Sequence, residues 1–304
     1  MRKNQEGETL KQRSVKRVAA IHDLSGFGRS SLAVVVPIIS TMGIQVCSVP
    51  TAVLSTHTGG FEEYSFVDLT DNMTHMFDHW EKLNLDFNCI YSGFLGSPRQ
   101  VDIISDFIDK FAIRNGYTDT LVVVDPVMAD EGELYSTMDQ EMVKRMRDLV
   151  GKADIITPNF TEAAYLLDKP YDTDLDKDTL KEWLYELSQM GPEKVIITSA
   201  PTWETPEKTS VVAYNQEDER YWKVTCDYIP AQYPGTGDAF ASVIVGSLLQ
   251  GDNLPISLDR GVQFITAAIR ASYGETLPKR EGVLLEKVLD NLKMPVLVSS
   301  YELL

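Results

Sequence analysis

One short stretch combines residue types and spacing that could do chemistry: Gly235-Thr236-Gly237-Asp238-Ala239-Phe240. It follows a polar, strand-like segment broken by Pro234 and Gly235. It opens the apolar run Ala239–Leu249, which reads as a buried helix. A helix that starts at glycines offers free backbone N–H groups and the positive end of its dipole to an anion, and the missing side chains let a phosphate come close. Asp238 is the unusual member. A carboxylate beside a bound phosphate is repulsive unless it handles a proton or a metal during phosphoryl transfer. The same residues also suit a plain capped helix, since Asp and Thr are ordinary helix-start residues.

Other candidates lie elsewhere in the chain. Asp125 ends the run Leu121–Asp125, apolar on both faces, and precedes Pro126, which stops a ladder and holds a turn. Its place suits magnesium or a phosphate-bound water, with an Asx-type turn before proline as the structural alternative. Glu162 falls in the first turn of a helix opened by Pro158-Asn159-Phe160-Thr161, where the dipole alone favours Glu. Only its relation to Asp125 makes it a metal candidate. His57 and Thr58, followed by Gly59-Gly60, sit in a loop of small polar residues, which favours contact with a ligand. His75 and His79 are spaced i, i+4 without an accompanying carboxylate or cysteine motif and read as a solvated face. Gly26 and Gly28 lack the third glycine of a dinucleotide fingerprint, and no G-x-x-x-x-G-K-[ST] loop occurs.

Composition bounds the partners. A net charge of −17 argues against nucleic acid and anionic membrane surfaces, which call for a basic footprint. It also means that a polyphosphate substrate needs local compensation from backbone amides, a divalent cation or a few placed Lys and Arg residues. Cys47, Cys89 and Cys226 are far apart and read as buried thiols in a reducing compartment rather than a disulfide framework or a zinc cluster. No apolar run reaches membrane-spanning length, and residues 1–14 are polar, without the apolar core of a signal peptide. They read as a flexible tail, and the expected location is cytoplasmic.

The elements that must position these residues alternate from residue 15 onward, with no repeat and no linker, which is an α/β pattern. Strands are predicted at Val15–His22, Ile44–Val49, Asp86–Tyr91, Leu121–Asp125, Ala153–Ile156 and Lys194–Thr198, and a hairpin from Thr209–Tyr214 and Arg220–Cys226. Helices are predicted at Ser31–Met42, Asp68–Leu83, Gln100–Arg114, Met138–Val150, Leu180–Met190, Asp238–Leu249, Leu254–Ala271 and Glu281–Leu292. Open parallel sheets bind ligands beyond the carboxyl ends of their strands. The polar residues that follow strands here, from His22-Asp23 to Thr198-Ser199, can therefore converge on one cleft.

The loop Gly235-Thr236-Gly237-Asp238 resembles the anion hole and base signature of the ribokinase-like superfamily. Thr51–Thr58, Tyr91–Gly96, Val124–Met128 and Thr157–Glu162 resemble its pyridoxal/pyridoxamine kinase branch. Five motifs in order are more specific than any one. The resemblance implies an α/β fold with a central, mostly parallel sheet flanked by helices on both faces, in one kinase domain spanning residues 15–304. It implies an enzyme that moves the γ-phosphoryl of ATP to the 5′-hydroxymethyl of a B6 vitamer, with Mg2+ and a monovalent cation such as K+, and a homodimer. By position, Asp238 is then the base, Gly235, Thr236 and Gly237 the cradle, and Asp125 and Glu162 the holders of magnesium or its waters. Thr157, Asn159, Thr198 and Thr225, with Asp125, Glu162 and Gly237, fall where the family meets ATP; Asp23, His57, Thr58 and Phe94, with Asp238, fall where it holds the vitamer ring. The family's kinases usually carry serine where this chain has Asp23 and an aromatic residue where it has Leu54, and an acidic Asp23 suits an amine. Hydroxymethylpyrimidine kinase is the alternative within the superfamily, since its substrate is also a flat nitrogen heterocycle with a hydroxymethyl group. A sugar kinase fits less well with Leu54 and Phe94. A non-catalytic vitamin-binding protein is the alternative from another class.

Overall fold

The structure, a computed structural model, describes residues 15–112, 120–201, 207–295 and 299–304. The tail expected at residues 1–14 lies outside them, as do the last two residues of the helix expected to end at Arg114. In chain order the strands are β1 (Arg17–Phe27), β2 (Gln45–Thr56), β3 (Phe66–Asp68), β4 (Cys89–Ser92), β5 (Leu121–Val124), β6 (Ala129–Asp130), β7 (Glu133–Leu134), β8 (Ile155–Ile156), β9 (Lys194–Ala200), β10 (Lys208–Asn215), β11 (Arg220–Asp227) and β12 (Tyr301–Leu303). The helices are α1 (Leu32–Thr41), α2 (Thr70–Lys82), α3 (Pro98–Phe111), α4 (Gln140–Val150), α5 (Phe160–Leu167), α6 (Lys177–Ser188), α7 (Thr236–Gln250) and α8 (Leu254–Tyr273).

Ten strands form one sheet in the order β12-β11-β10-β9-β8-β5-β4-β1-β2-β3. The run from β9 to β2 is parallel, while β3, β10, β11 and β12 add antiparallel edges. Successive side chains point to opposite faces, so a strand apolar throughout has to be covered twice. Ile21, Ile90, Val122, Val124 and Ile197 pack into the layer of α2 to α6. Ala20, Tyr91, Val123 and Ile196 pack into the layer of α1, α7 and α8. Helices therefore flank the sheet on both faces, as expected.

Three expectations about elements need correction. β1 runs to Phe27 rather than ending at His22, with a register shift between His22 and Leu24, so His22 and Asp23 sit inside a bulged strand. β2 runs to Thr56 rather than Val49, because Pro50 lies beside that irregularity, where a missing N–H is tolerated. The helix expected at Glu281–Leu292 is a series of short 3-10 turns broken at Gly282, whose φ is 81°. Val283 and Leu285 there are buried, so the apolar spacing belongs to packed turns.

Candidate active site

The chain passes from β1 to β2 on one side and later returns to place β4 on the other side of β1. The strand order reverses at β1, and the crevice beyond the carboxyl ends of the strands at such a point is where an open α/β sheet holds its ligand. The start of α7 is delivered to this crevice: the Ser31 amide, just before α1, donates to Oδ2 of Asp238 at 2.8 Å, and Oδ1 lies 3.7 Å from Nδ1 of His22 on β1.

The two glycines of the loop are needed for different reasons. Gly235 has a φ of 79°, and a Cβ there would stand 2.1 Å from the carbonyl oxygen of Arg29, so packing within the protein demands glycine. Gly237 is exposed, and a Cβ on it would meet nothing within 4 Å among the described residues. Helix α7 has no side-chain cap, which leaves its first-turn amides open, and the Thr236 hydroxyl is turned back to donate to the Tyr233 carbonyl at 3.1 Å. Free amides with an unobstructed approach make an anion cradle.

Four carboxylates line the site. Burial, with a contribution from Asp23, raises the pKa of Asp238 to about 7, against the pull of the Ser31 amide. Burial first, and Asp238 second, hold Asp125 well above the usual carboxylate range, while the Thr157 hydroxyl pulls the other way. Burial and Asp125 do the same to Glu162. Asp23 is raised by burial and opposed by its hydrogen bonds from Ser31 and Ser25. Asp238, Asp125 and Glu162 thus each feel a neighbouring carboxylate, and among the described residues no ion pair neutralises Asp125 or Glu162.

Glu162 also has a structural role. Its Oε2 accepts the Asn159 amide at 2.8 Å while the Asn159 side chain accepts the Glu162 amide at 2.8 Å, a capping box, and its Oε1 accepts the Met128 amide at 3.1 Å. Asn159 is further tied to the Ala129 carbonyl at 2.8 Å and bridges to Thr198 on β9. Asp125 and Glu162 are buried oxygen donors with no cluster of three or more His, Cys, Asp or Glu around them among the described residues. That donor set fits magnesium, which binds through one or two carboxylates and completes its shell with phosphate and water oxygens.

The other expected residues are distributed as follows. Thr157 is buried with its hydroxyl beside the Asp125 carboxylate. Thr225 lies on β11 with its hydroxyl 3.3 Å from that of Ser210. Phe94 is half-buried just after β4, and its carbonyl accepts the Thr51 hydroxyl at 3.2 Å. His57 has both ring nitrogens engaged: Nδ1 accepts the Gly59 amide at 3.1 Å, so Nε2 carries the proton and donates to the Arg280 carbonyl at 2.6 Å. What it can offer a ligand is its ring, not a polar contact. Thr58 is exposed.

Several contributors escaped the sequence reading. Ser31 donates its amide to Asp238 and its hydroxyl to Asp23 from a backbone with φ 51° and ψ −132°, a strained conformation for a residue with a side chain. Arg29 lends its carbonyl to the close approach at Gly235 and its amide to the Glu281 carbonyl at 3.0 Å. His22 is fully buried. His22 was expected at the cleft as a polar residue following the first strand, but without a role; nothing in the sequence marked Ser31 or Arg29.

Comparison with known proteins adds the family. The profile described as phosphomethylpyrimidine kinase matches residues 36–281. A Bacteroides thetaiotaomicron protein, provisionally described as a phosphomethylpyrimidine kinase and solved with pyridoxal, is 58% identical with a TM-score of 0.92, over 96% of this chain and 100% of that one. Pyridoxal kinase from Lactobacillus plantarum is 31% identical with a TM-score of 0.82, over 92% of this chain and 97% of that one. Pyridoxal kinase from Arabidopsis thaliana is 29% identical over 205 residues, which is 65% of this chain and 62% of the relative, so the chain spans less than two thirds of that protein's length. With the profile covering most of its residues and the site standing where the sheet order reverses, the chain belongs to the phosphomethylpyrimidine kinase family.

Proposed function

We propose that the protein is a B6 vitamer kinase that transfers the γ-phosphoryl of ATP to the 5′-hydroxymethyl group of pyridoxal, pyridoxamine or pyridoxine. The observation that carries this reading is the juxtaposition at α7: open amides at the helix start, and within the same turn a carboxylate, Asp238, whose pKa is raised to about 7. A base poised near neutrality beside an anion cradle suits transfer to an alcohol. The pyridoxal held by the 58% identical relative supports a vitamer as acceptor.

In this reading the amides of Thr236 and Gly237 meet the charge that develops on the transferred group, where preorganised donors act most strongly. Asp238 accepts the hydroxyl proton late, because the transition state is loose and the alcohol acidifies only as its bond to phosphorus forms. Asp125 and Glu162 hold magnesium, which neutralises phosphate charge when bound. Thr157, Asn159, Thr198 and Thr225 line the nucleotide side, and Phe94 offers an apolar face to the vitamer ring. The reading extends to a cytoplasmic homodimer in which residues 15–304 act as one kinase domain, aided by a monovalent cation such as K+. Among the described residues no helix is long and apolar enough to cross a membrane.

The family description, with a 23% identical Bacillus subtilis relative described as a hydroxymethylpyrimidine/phosphomethylpyrimidine kinase, supports a second acceptor, hydroxymethylpyrimidine. A substrate panel with ATP and magnesium fixed separates the two. The expected order of kcat/KM puts the three vitamers ahead of hydroxymethylpyrimidine and ribose. Hydroxymethylpyrimidine in first place would replace the vitamer and keep the kinase, and no turnover of any acceptor would leave a binding protein.

A further inference from the structure

His22 has no role in the reaction as described so far, and its surroundings call for one. The imidazole is fully buried, and among the described residues neither ring nitrogen has a hydrogen-bond partner. Buried polar atoms are rarely left so, because each forfeits its bonds to water. The ring is nevertheless firmly placed. It meets Tyr91 edge-on at 4.4 Å between centroids, and a Cβ on Gly93 would come within 2.3 Å of Nδ1, so the glycine of Ser92-Gly93-Phe94 is what makes room for it. The carboxylate oxygen facing it is Oδ1 of Asp238, 3.7 Å from Nδ1.

We propose that His22 is a positioning residue for phosphoryl transfer: its neutral imidazole directs Nδ1–H at Oδ1 of Asp238 and, with the Ser31 amide on Oδ2, fixes the base in one orientation. Burial lowers the pKa of His22 to about 3, so the ring is neutral at working pH and holds one proton. A lone pair turned toward a carboxylate is repelled and an N–H is attracted, which selects the Nδ1–H tautomer. The 3.7 Å separation is longer than a hydrogen bond, and catalytic contacts of this kind tighten when substrate fills the site. Oδ2 is already fixed by an amide at 2.8 Å, so a contact on Oδ1 leaves the carboxylate no free rotation.

The inference rests on Asp238 being the base, and the test keeps the two apart. The groups around Asp238, besides His22, are Asp23 on β1, Asp125 after β5, Tyr91 on β4, Tyr135 after β7 and the Ser31 amide before α1, and none of these is changed. The pH profile of kcat is measured for wild type, His22→Ala, His22→Asn and His22→Gln, with Asp238→Asn as a separate arm and thermal melts to establish folding. Asn can place its amide nitrogen where Nδ1 stands, and Gln places its own nearer Nε2. Losing a donor to a carboxylate makes ionisation harder, so His22→Ala is expected to lower kcat about tenfold, the scale of one charge-assisted hydrogen bond. It should also move the acid limb to higher pH, with the vitamer KM little changed. His22→Asn should restore both and His22→Gln neither. A folded His22→Asn as impaired as His22→Ala, or a His22→Ala with the wild-type limb and rate, would overturn the proposal. Retained turnover in Asp238→Asn would overturn the base assignment instead.

Discussion

Alanine at Gly237 and alanine at Gly235 should fail in opposite ways. At Gly237 the added methyl group meets no atom of the described residues within 4 Å and sits in the first turn of α7, so the protein gains helix propensity, about 0.5–1 kcal/mol. That corresponds to a melting temperature raised by roughly 1–2 °C for a chain of this size. The same methyl projects into the approach to the open amides, and losing one such donor contact costs about 100-fold in kcat. At Gly235 the methyl would stand 2.1 Å from the Arg29 carbonyl oxygen on a backbone with φ 79°. The left-handed conformation costs an L-residue about 1–2 kcal/mol and overpacking another ~1–3 kcal/mol. Together these lower the melting temperature by about 6 °C, on the order of 3 kcal/mol. Differential scanning fluorimetry and a coupled ATPase assay on the two variants read both quantities. A Gly237→Ala enzyme with wild-type kcat would refute the placing of phosphate on these amides, and a Gly235→Ala protein as stable as wild type would refute the close approach.

Asp238→Asn should reduce single-turnover phosphorylation by ~100-fold or more while leaving vitamer and nucleotide binding constants near wild type; more than about a tenth of the rate surviving would exclude an essential base. Because Asp238 has to be ionised to accept a proton and its pKa is raised to about 7, kcat should fall as pH drops through about 7, and a flat profile down to pH 5 would contradict this. Asp23 is one cause of that rise, so Asp23→Ser should move the acid limb to lower pH and narrow any lead of pyridoxamine over pyridoxal; an unmoved limb would separate the two carboxylates. Asp125→Asn and Glu162→Gln should each raise the magnesium concentration for half-maximal rate, and unchanged titrations would return them to the roles of turn former and helix cap.

The layering of the fold was readable because Leu121–Val124 and Val195–Ile197 are apolar without interruption, which only a doubly covered sheet explains. The start of α7 was readable because glycine and proline punctuate it. The ends of β1 and β2 were not, since Ser25, Gly26 and Pro50 are loop residues by local preference and lie in strands that are held by pairing with each other and, for β2, with β3. His57 shows a deeper limit. Its polar loop pointed to a ligand, but its ring nitrogens are claimed by Gly59 and by Arg280, a residue 223 positions away, a partner no local reading could supply. Ser31 is invisible for a similar reason: its contribution to Asp238 is a backbone amide, and an amide carries no sequence signature.

The turns around Arg280 to Gly282 bear on how the molecule comes into being. A Cβ on Gly282 would lie 2.7 Å from the Arg29 carbonyl oxygen, the atom that also crowds Gly235, and Arg29 binds Glu281 across 252 residues of chain. The entropy of closing so long a loop is recovered only when both ends exist. During synthesis the sheet from β1 to β9 can pair well before residue 280 is made, yet the backbone beneath the anion cradle lacks its buttress until then. The backbone that crowds Gly235 therefore gains its partner at Glu281 only late in the synthesis of each chain.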